Sequence, residues 1–143
     1  RLLVKASSSG IDLRVISAYR SFGTQAKIKT GYNFTYGAGT ANKFSADQGY
    51  SEHQLGTTVD FSAPNTGGDF KFGETKAFSW LVANAYRYGF ILSYPKANGY
   101  YQYEPWHWRF VGVELATKMH DENKYFFDYP QRTLNLYLAN IFD

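Results

Sequence analysis

The chain has 143 residues, a net charge of +3, 20% aromatic residues and no cysteine. A chain of this length is expected to form one domain, residues 1–143, and to bury roughly 68–70% of its unfolded surface, so it needs no covalent staples. The missing cysteines exclude disulfide frameworks, thiol nucleophiles and thiolate metal sites, so any metal must rest on His, Asp or Glu.

In chain order, Leu2–Ser9 reads as the tail of a helix whose start lies upstream, with Gly10 as its C-cap. The absence of an initial methionine points to a processed or trimmed product. Ile11 to Tyr19 alternates apolar and polar side chains, the pattern of a strand. Thr24 suits the N-cap of a short helix through Gln25, Lys27 and Ile28 to about Thr30. From Gly31 to Tyr50 the residues turn to Gly, Ala, Asn, Ser, Thr and Tyr, and a long surface loop is expected. Ser51–Thr57 reads as a turn, Thr58–Ser62 as a strand, and Phe70–Phe72 as a short element.

Glu74–Tyr88 carries Phe78, Leu81, Val82, Ala85 and Tyr86 at helical spacing, and Gly89 stops it. Phe90–Leu92 and Trp106–Val111 read as strands separated by a loop over Lys96–Tyr103. Val113–Met119 and Leu134–Phe142 read as helices, joined by an aromatic link containing Pro130. Strands mixed irregularly with helices predict an α+β fold with a small, mainly antiparallel central sheet flanked by helices. Lys and Arg are scattered without a basic run, which argues against a nucleic-acid partner. The mild positive charge fits an anionic partner, and no apolar stretch is long enough to span a bilayer. Most of the 13 Tyr and 12 Phe are expected to fill the core and its edges.

Chemistry concentrates in two segments. Ser51-Glu52-His53-Gln54-Leu55-Gly56-Thr57-Thr58-Val59-Asp60 sets an imidazole and a carboxylate on either side of a turn at Gly56. Glu104-Pro105-Trp106-His107 adds a second carboxylate and a second imidazole. Two His and one Asp can hold Zn²⁺ with one position open, and a spare Glu can serve as general base. Each residue alone has a plainer account: His53 and Asp60 as surface or hydrogen-bonded groups, His107 as a core histidine satisfied by the backbone. Arg109 lies two residues past His107 and points to the same side of the strand, either toward substrate or into a structural ion pair. Trp106 and Trp108 face the other side. His120, Asp47 and Glu52 read as solvated.

The combination Ser51-x-His53-Gln54-x-Gly56-x-x-x-Asp60 with Glu104-x-Trp106-His107-x-Arg109 resembles the two signature segments of the VanY-like D-alanyl-D-alanine carboxypeptidases. That family includes related L,D-carboxypeptidases that trim peptidoglycan stem peptides. Ser17-Ala18-Tyr19-Arg20-Ser21 with Gln25, and Tyr88-Gly89-Phe90-Ile91-Leu92, resemble further family segments. The likeness runs from about Ile11 to Gly112. From about Asn123 onward no motif matches.

The resemblance implies a hedgehog/D,D-peptidase-like fold with the metal site at the sheet. It implies one Zn²⁺ held by His53, Asp60 and His107, and Glu104 as catalytic base. Arg20 would meet the substrate or the developing oxyanion, with Ser51 beside it, although a surface ion pair is the plainer account of Arg20. Gln25 divides between helix surface and substrate contact. The expected activity is release of a C-terminal D-alanine from stem peptides, D,D or L,D, with no covalent intermediate. The expected setting is extracytoplasmic, with any membrane anchor confined to the precursor and a monomeric chain. Two rivals remain: an endopeptidase like those of phage lysins, and a zinc-containing wall-binding module without turnover.

Overall fold

Rows of paired residues across four strands explain how this chain places its polar groups. The computed structural model describes residues 1–37, 39–40, 45–96, 98–99, 101–139 and 141. Four strands form one sheet: β1 (Arg14–Ser17), β2 (Thr58–Ser62), β3 (Phe90–Leu92) and β4 (His107–Phe110). Their spatial order is β1-β2-β4-β3 and every neighbouring pair is antiparallel. Side chains alternate between the two faces of a strand, and directly paired residues share a face. The pairings Ser17↔Asp60 and Asp60↔His107 therefore put three polar residues in one row. Thr58↔Arg109↔Ile91 forms the next row on that face. The opposite face carries Val59↔Trp108↔Leu92 and Phe110↔Phe90.

That opposite face is the apolar one. Phe61, Phe72, Ala77, Leu81, Ala85 and Trp108 bury there with Leu2 of α1 (Leu2–Ser8). Helix α3 (Lys76–Asn84) presents Ala77 and Leu81 to it, one turn apart. Its start is fixed by Thr75, whose hydroxyl accepts from the Phe78 backbone N–H at 3.1 Å. The helix tightens into a 3₁₀ turn, Ala85–Tyr88, and ends at Gly89 with φ +80°. A Cβ there would meet the Phe110 ring at 2.5 Å, so only glycine fits both the backbone and the space. A second cluster joins Ile91 and Val111 to Leu115, Ala116 and Met119 of α4 (Val113–Glu122) and Leu134 of α5 (Gln131–Leu138).

The predicted α+β class and antiparallel sheet are observed. Helix α2 differs from expectation: it spans Phe22–Tyr36 instead of ending near Thr30, and its N-cap is Ser21. Gly31, Asn33 and Thr35 are weak helix formers, but tertiary anchoring outweighs propensity here. Gln25 and Lys29, four residues apart, are buried on one side of α2. Gln25 Nε2 donates to Ser45 Oγ at 3.1 Å and to the Ala46 carbonyl at 2.8 Å. Lys29 Nζ donates to the Ser45 carbonyl at 2.6 Å and pairs with Asp47 at 3.1 Å. Part of the predicted Gly31–Tyr50 loop is thus helix, residues 45–47 are tied to it, and 41–44 lie outside the described residues. The Phe70–Glu74 element is a 3₁₀ turn.

Candidate metal centre

The site is built around Asp60, in the middle of β2. His107 is its direct neighbour on β4, and its Nδ1 stands 3.3 Å from Asp60 Oδ1. His53 arrives from a 3₁₀ turn, Glu52–Leu55, that Gly56 closes with φ +75°, a left-handed conformation favouring glycine. This is the fold-back that brings the seventh residue before Asp60 to within 3.2 Å of it, through His53 Nε2 and Asp60 Oδ2. Ligand atoms of His53, Asp60 and His107 all lie within 4.8 Å of one another, and all three residues are buried.

Hydrogen bonds set which ring nitrogens face inward. His53 Nδ1 lies 2.6 Å from the Ala18 carbonyl, which can only accept, so Nδ1 carries the proton. Nε2 therefore turns a lone pair, or a second proton, toward Asp60. His107 Nε2 donates to Glu52 Oε2 at 3.0 Å, leaving Nδ1 toward Asp60 and Glu104. Burial alone would raise the Asp60 carboxyl, yet the close imidazoles of His107 and His53 outweigh it and hold it below the usual carboxylate range. Burial alone would lower His107, and the Asp60 and Glu52 carboxylates reverse this and raise it.

Asp60 Oδ1 is buried with no hydrogen-bond partner. A buried acceptor left unsatisfied is rare and costly. Two imidazole nitrogens and a carboxylate oxygen converging there fit a divalent cation that would replace protons on the ligands. The donor set, nitrogen and oxygen without sulfur, suits zinc.

Glu104 stands beside this centre. Its Oε2 lies 3.4 Å from His107 Nδ1, and its side chain is 16% exposed. Burial pushes its carboxyl up to about 7, with the Asp60 and Glu52 charges adding to the rise and His107 and Arg20 opposing it. The backbone holds it in place: Glu104 N donates to the Tyr94 carbonyl at 3.1 Å, and the Glu104 carbonyl accepts from His107 N at 3.2 Å. A cleft of about 360 Å³ opens over these groups and is lined by Arg20, Gln25, Ser51, His53, Asp60, Glu104, Trp106 and His107, among others.

Arg20 is neither exposed nor on an outer ion pair. Its Nη2 donates to Asp60 Oδ2 at 2.7 Å and its Nε to Ser17 Oγ at 3.1 Å, at the cleft wall. Gln25 is 1% exposed, not on the helix surface, and its Oε1 is buried without a hydrogen-bond partner at the cleft. Ser51 is buried on the same wall. Arg109 is not among the residues lining the cleft. It donates to Glu52 Oε1 at 3.0 Å, and its guanidinium lies 4.3 Å above the Phe126 ring. Trp108 is buried in the core, while Trp106 lines the cleft.

A further expectation fails. Glu52 was expected in solvent, but its side chain is 10% exposed and it sits beneath His107. Nothing in its neighbourhood along the chain signals this, because its partners lie 41 to 57 positions away. His120 stacks on Tyr86 at 3.8 Å and remains 44% exposed in its side chain, away from the three ligands. Asp47 is exposed but pairs with Lys29. The chain also contains a Ser-x-x-Lys string, Ser93-Tyr94-Pro95-Lys96, the spelling of a serine-nucleophile motif. Ser93 is 1% exposed with its hydroxyl on Glu52, and Lys96 lies over the Tyr103 ring, so the pair forms no nucleophile and base. A larger cleft, about 400 Å³, lies against Phe90, Leu92 and Trp108 of the apolar face, and its lining contains none of His53, Asp60, Glu104 and His107.

A buried His–Asp–His constellation with an extra carboxylate beside it, mounted on an antiparallel sheet, defines a metal centre of the hydrolytic type. The VanY family model, described as D-alanyl-D-alanine carboxypeptidase, matches residues 1–113. This chain belongs to that family. A D-alanyl-D-alanine carboxypeptidase of Enterococcus faecalis is 35% identical over 133 residues, covering 82% of this chain and 47% of the relative. The chain spans about half the length of the curated relatives it matches. Among solved structures, the LdcB LD-carboxypeptidase matches with a TM-score of 0.80 and 32% identity, over 98% of this chain and 64% of that one. A VanY D,D-pentapeptidase variant in complex with Zn(II) matches with a TM-score of 0.74 and 33% identity, over 90% and 76% of the two chains.

Proposed function

We propose that this chain is a zinc-dependent carboxypeptidase that releases the C-terminal D-alanine of peptidoglycan stem peptides. The observation that carries this is the buried Asp60 carboxylate between two imidazoles, its Oδ1 without a hydrogen bond, with Glu104 standing 3.4 Å from His107. Family membership and the Zn(II)-bound relative support the same reading. His53, Asp60 and His107 would hold the zinc, which would supply Lewis acidity and ease deprotonation of a water in the cleft.

The protein's own groups do the rest. Glu104 takes the proton of the attacking water on its carboxylate and returns it to the departing amine. Its buried position, with a carboxyl raised by desolvation, suits a group that must both accept and donate near neutral pH. Arg20, fixed by Asp60 and Ser17, turns a guanidinium fork to the cleft, with more donors than those two bonds use. It receives the substrate's terminal carboxylate or the oxyanion. Ser51 and Gln25 line the same wall, beside the path of the peptide. Arg109 acts behind the site instead of in the cleft. The 143 residues act as one domain and as a monomer, outside the cytoplasm, on a wall peptide and not on nucleic acid. No helix among the described residues is long and apolar enough to cross a membrane.

The test uses stem peptides ending in D-Ala-D-Ala and stem tetrapeptides, with and without a chelator, with products identified by mass. Loss of one D-alanine, abolished by chelation and restored by zinc, is the expected result. Larger fragments would make the protein an endopeptidase, and zinc binding without turnover on any peptide would make it a wall-binding module.

A further inference from the structure

Glu52 is the group at this centre that neither the three ligands nor the base accounts for. Its carboxylate collects donors from three places in the chain. Oε2 accepts from His107 Nε2 at 3.0 Å and from the Ser93 hydroxyl at 2.8 Å. Oε1 accepts from Arg109 Nη1 at 3.0 Å. Ser93 is itself held by a backbone bond to the His107 carbonyl at 3.2 Å. The geometry points to Glu52 as the positioning residue of the metal centre: it fixes the His107 ring so that Nδ1 is presented to the ion, with Arg109 and Ser93 holding Glu52 in turn. This rests on the reading that His53, Asp60 and His107 bind zinc.

The argument is one of donors and acceptors. An imidazole can bind a metal only through a nitrogen that carries no proton. An ionised carboxylate can only accept, so it keeps the proton of His107 on Nε2 and the lone pair on Nδ1. Glu52 adjoins His53, so one short turn supplies a ligand through His53 and orients a second ligand on β4 through Glu52. Arg109 extends the chain of contacts to Phe126, beyond α4, and gives that arginine a role behind the ligands.

Glu52→Gln separates this role from mere packing, because the shape is kept and the accept-only character is lost. The amide must set its NH₂ either against Arg109, a donor facing donors, or against His107 Nε2, which drives the ring proton to Nδ1. Zinc affinity, read by competition with a chromogenic chelator, is expected to fall about 10- to 100-fold. Ser93→Ala, which removes one donor to Glu52 and disturbs the fold less, is expected to weaken zinc about two- to tenfold. In the metal-free parent, ¹⁵N-resolved NMR of His107 should show a slowly exchanging proton on Nε2. In Glu52→Gln that proton should lose its protection. Zinc affinity within about twofold of the parent in both variants, with the Nε2 proton still protected, overturns the proposal. If the parent itself binds no zinc, the carboxypeptidase reading fails, and the NMR comparison still decides the role of Glu52.

Discussion

The two faces of β2 and β4 are stabilised by different physics. On one face Phe61, Trp108 and their neighbours fit by volume: the Phe78 and Trp108 rings meet edge-on at 6.2 Å, and Phe90 meets Phe110 at 5.4 Å. On the other face Asp60, His107 and Arg109 are held by paired charge, and each is buried deeply enough to need a partner. The faces differ by one residue of register, since a slip of one would exchange them. A strand this short can therefore carry both a core and a reaction centre, provided that each face is perturbed separately.

The comparison is sharpened by changes confined to one face. The largest effect is expected from Glu104→Gln, which keeps the shape and removes the proton acceptor. Turnover should fall about 10²- to 10⁴-fold in D-alanine release assays, with zinc content and thermal midpoint retained. A fully active variant would sink the role given to Glu104. On the opposite face, Leu81→Ala should destabilise the fold by about 2–5 kcal/mol in denaturant titrations, while the folded fraction still binds one zinc. A selective loss of zinc in that variant would show that the faces are not independent. Thr75→Ala, which removes the N-cap of α3, should cost about 1 kcal/mol in the same titration. Smallest of all, His120→Ala should leave zinc content and turnover unchanged, because that imidazole sits apart on Tyr86. A loss of zinc there would place a third imidazole in a site built from two.

Much of this was legible in the residues. The Gly56 turn, the strand bearing Asp60 and the strand bearing His107 each have local signatures, and the ligand types follow from the absence of cysteine. What local pattern could not supply was register. That Asp60 sits opposite His107, rather than opposite Trp106 or Trp108, is a property of two strands separated by more than forty residues. Glu52 was misplaced for the same reason: its sequence neighbours are polar, but its partners are Ser93, His107 and Arg109. The end of α2 was missed because buried Gln25 and Lys29, which carry it past Gly31, look like ordinary surface residues of a helix.

Those two side chains have a consequence for the cleft. By clamping residues 45–47 to α2, Gln25 and Lys29 fix where Ser45 and Ala46 join the cleft wall. The packing of one helix is thereby coupled to the shape of the pocket: a change on the buried side of α2 reaches the cleft through hydrogen bonds to residues 45 and 46, without passing through His53, Asp60 or His107.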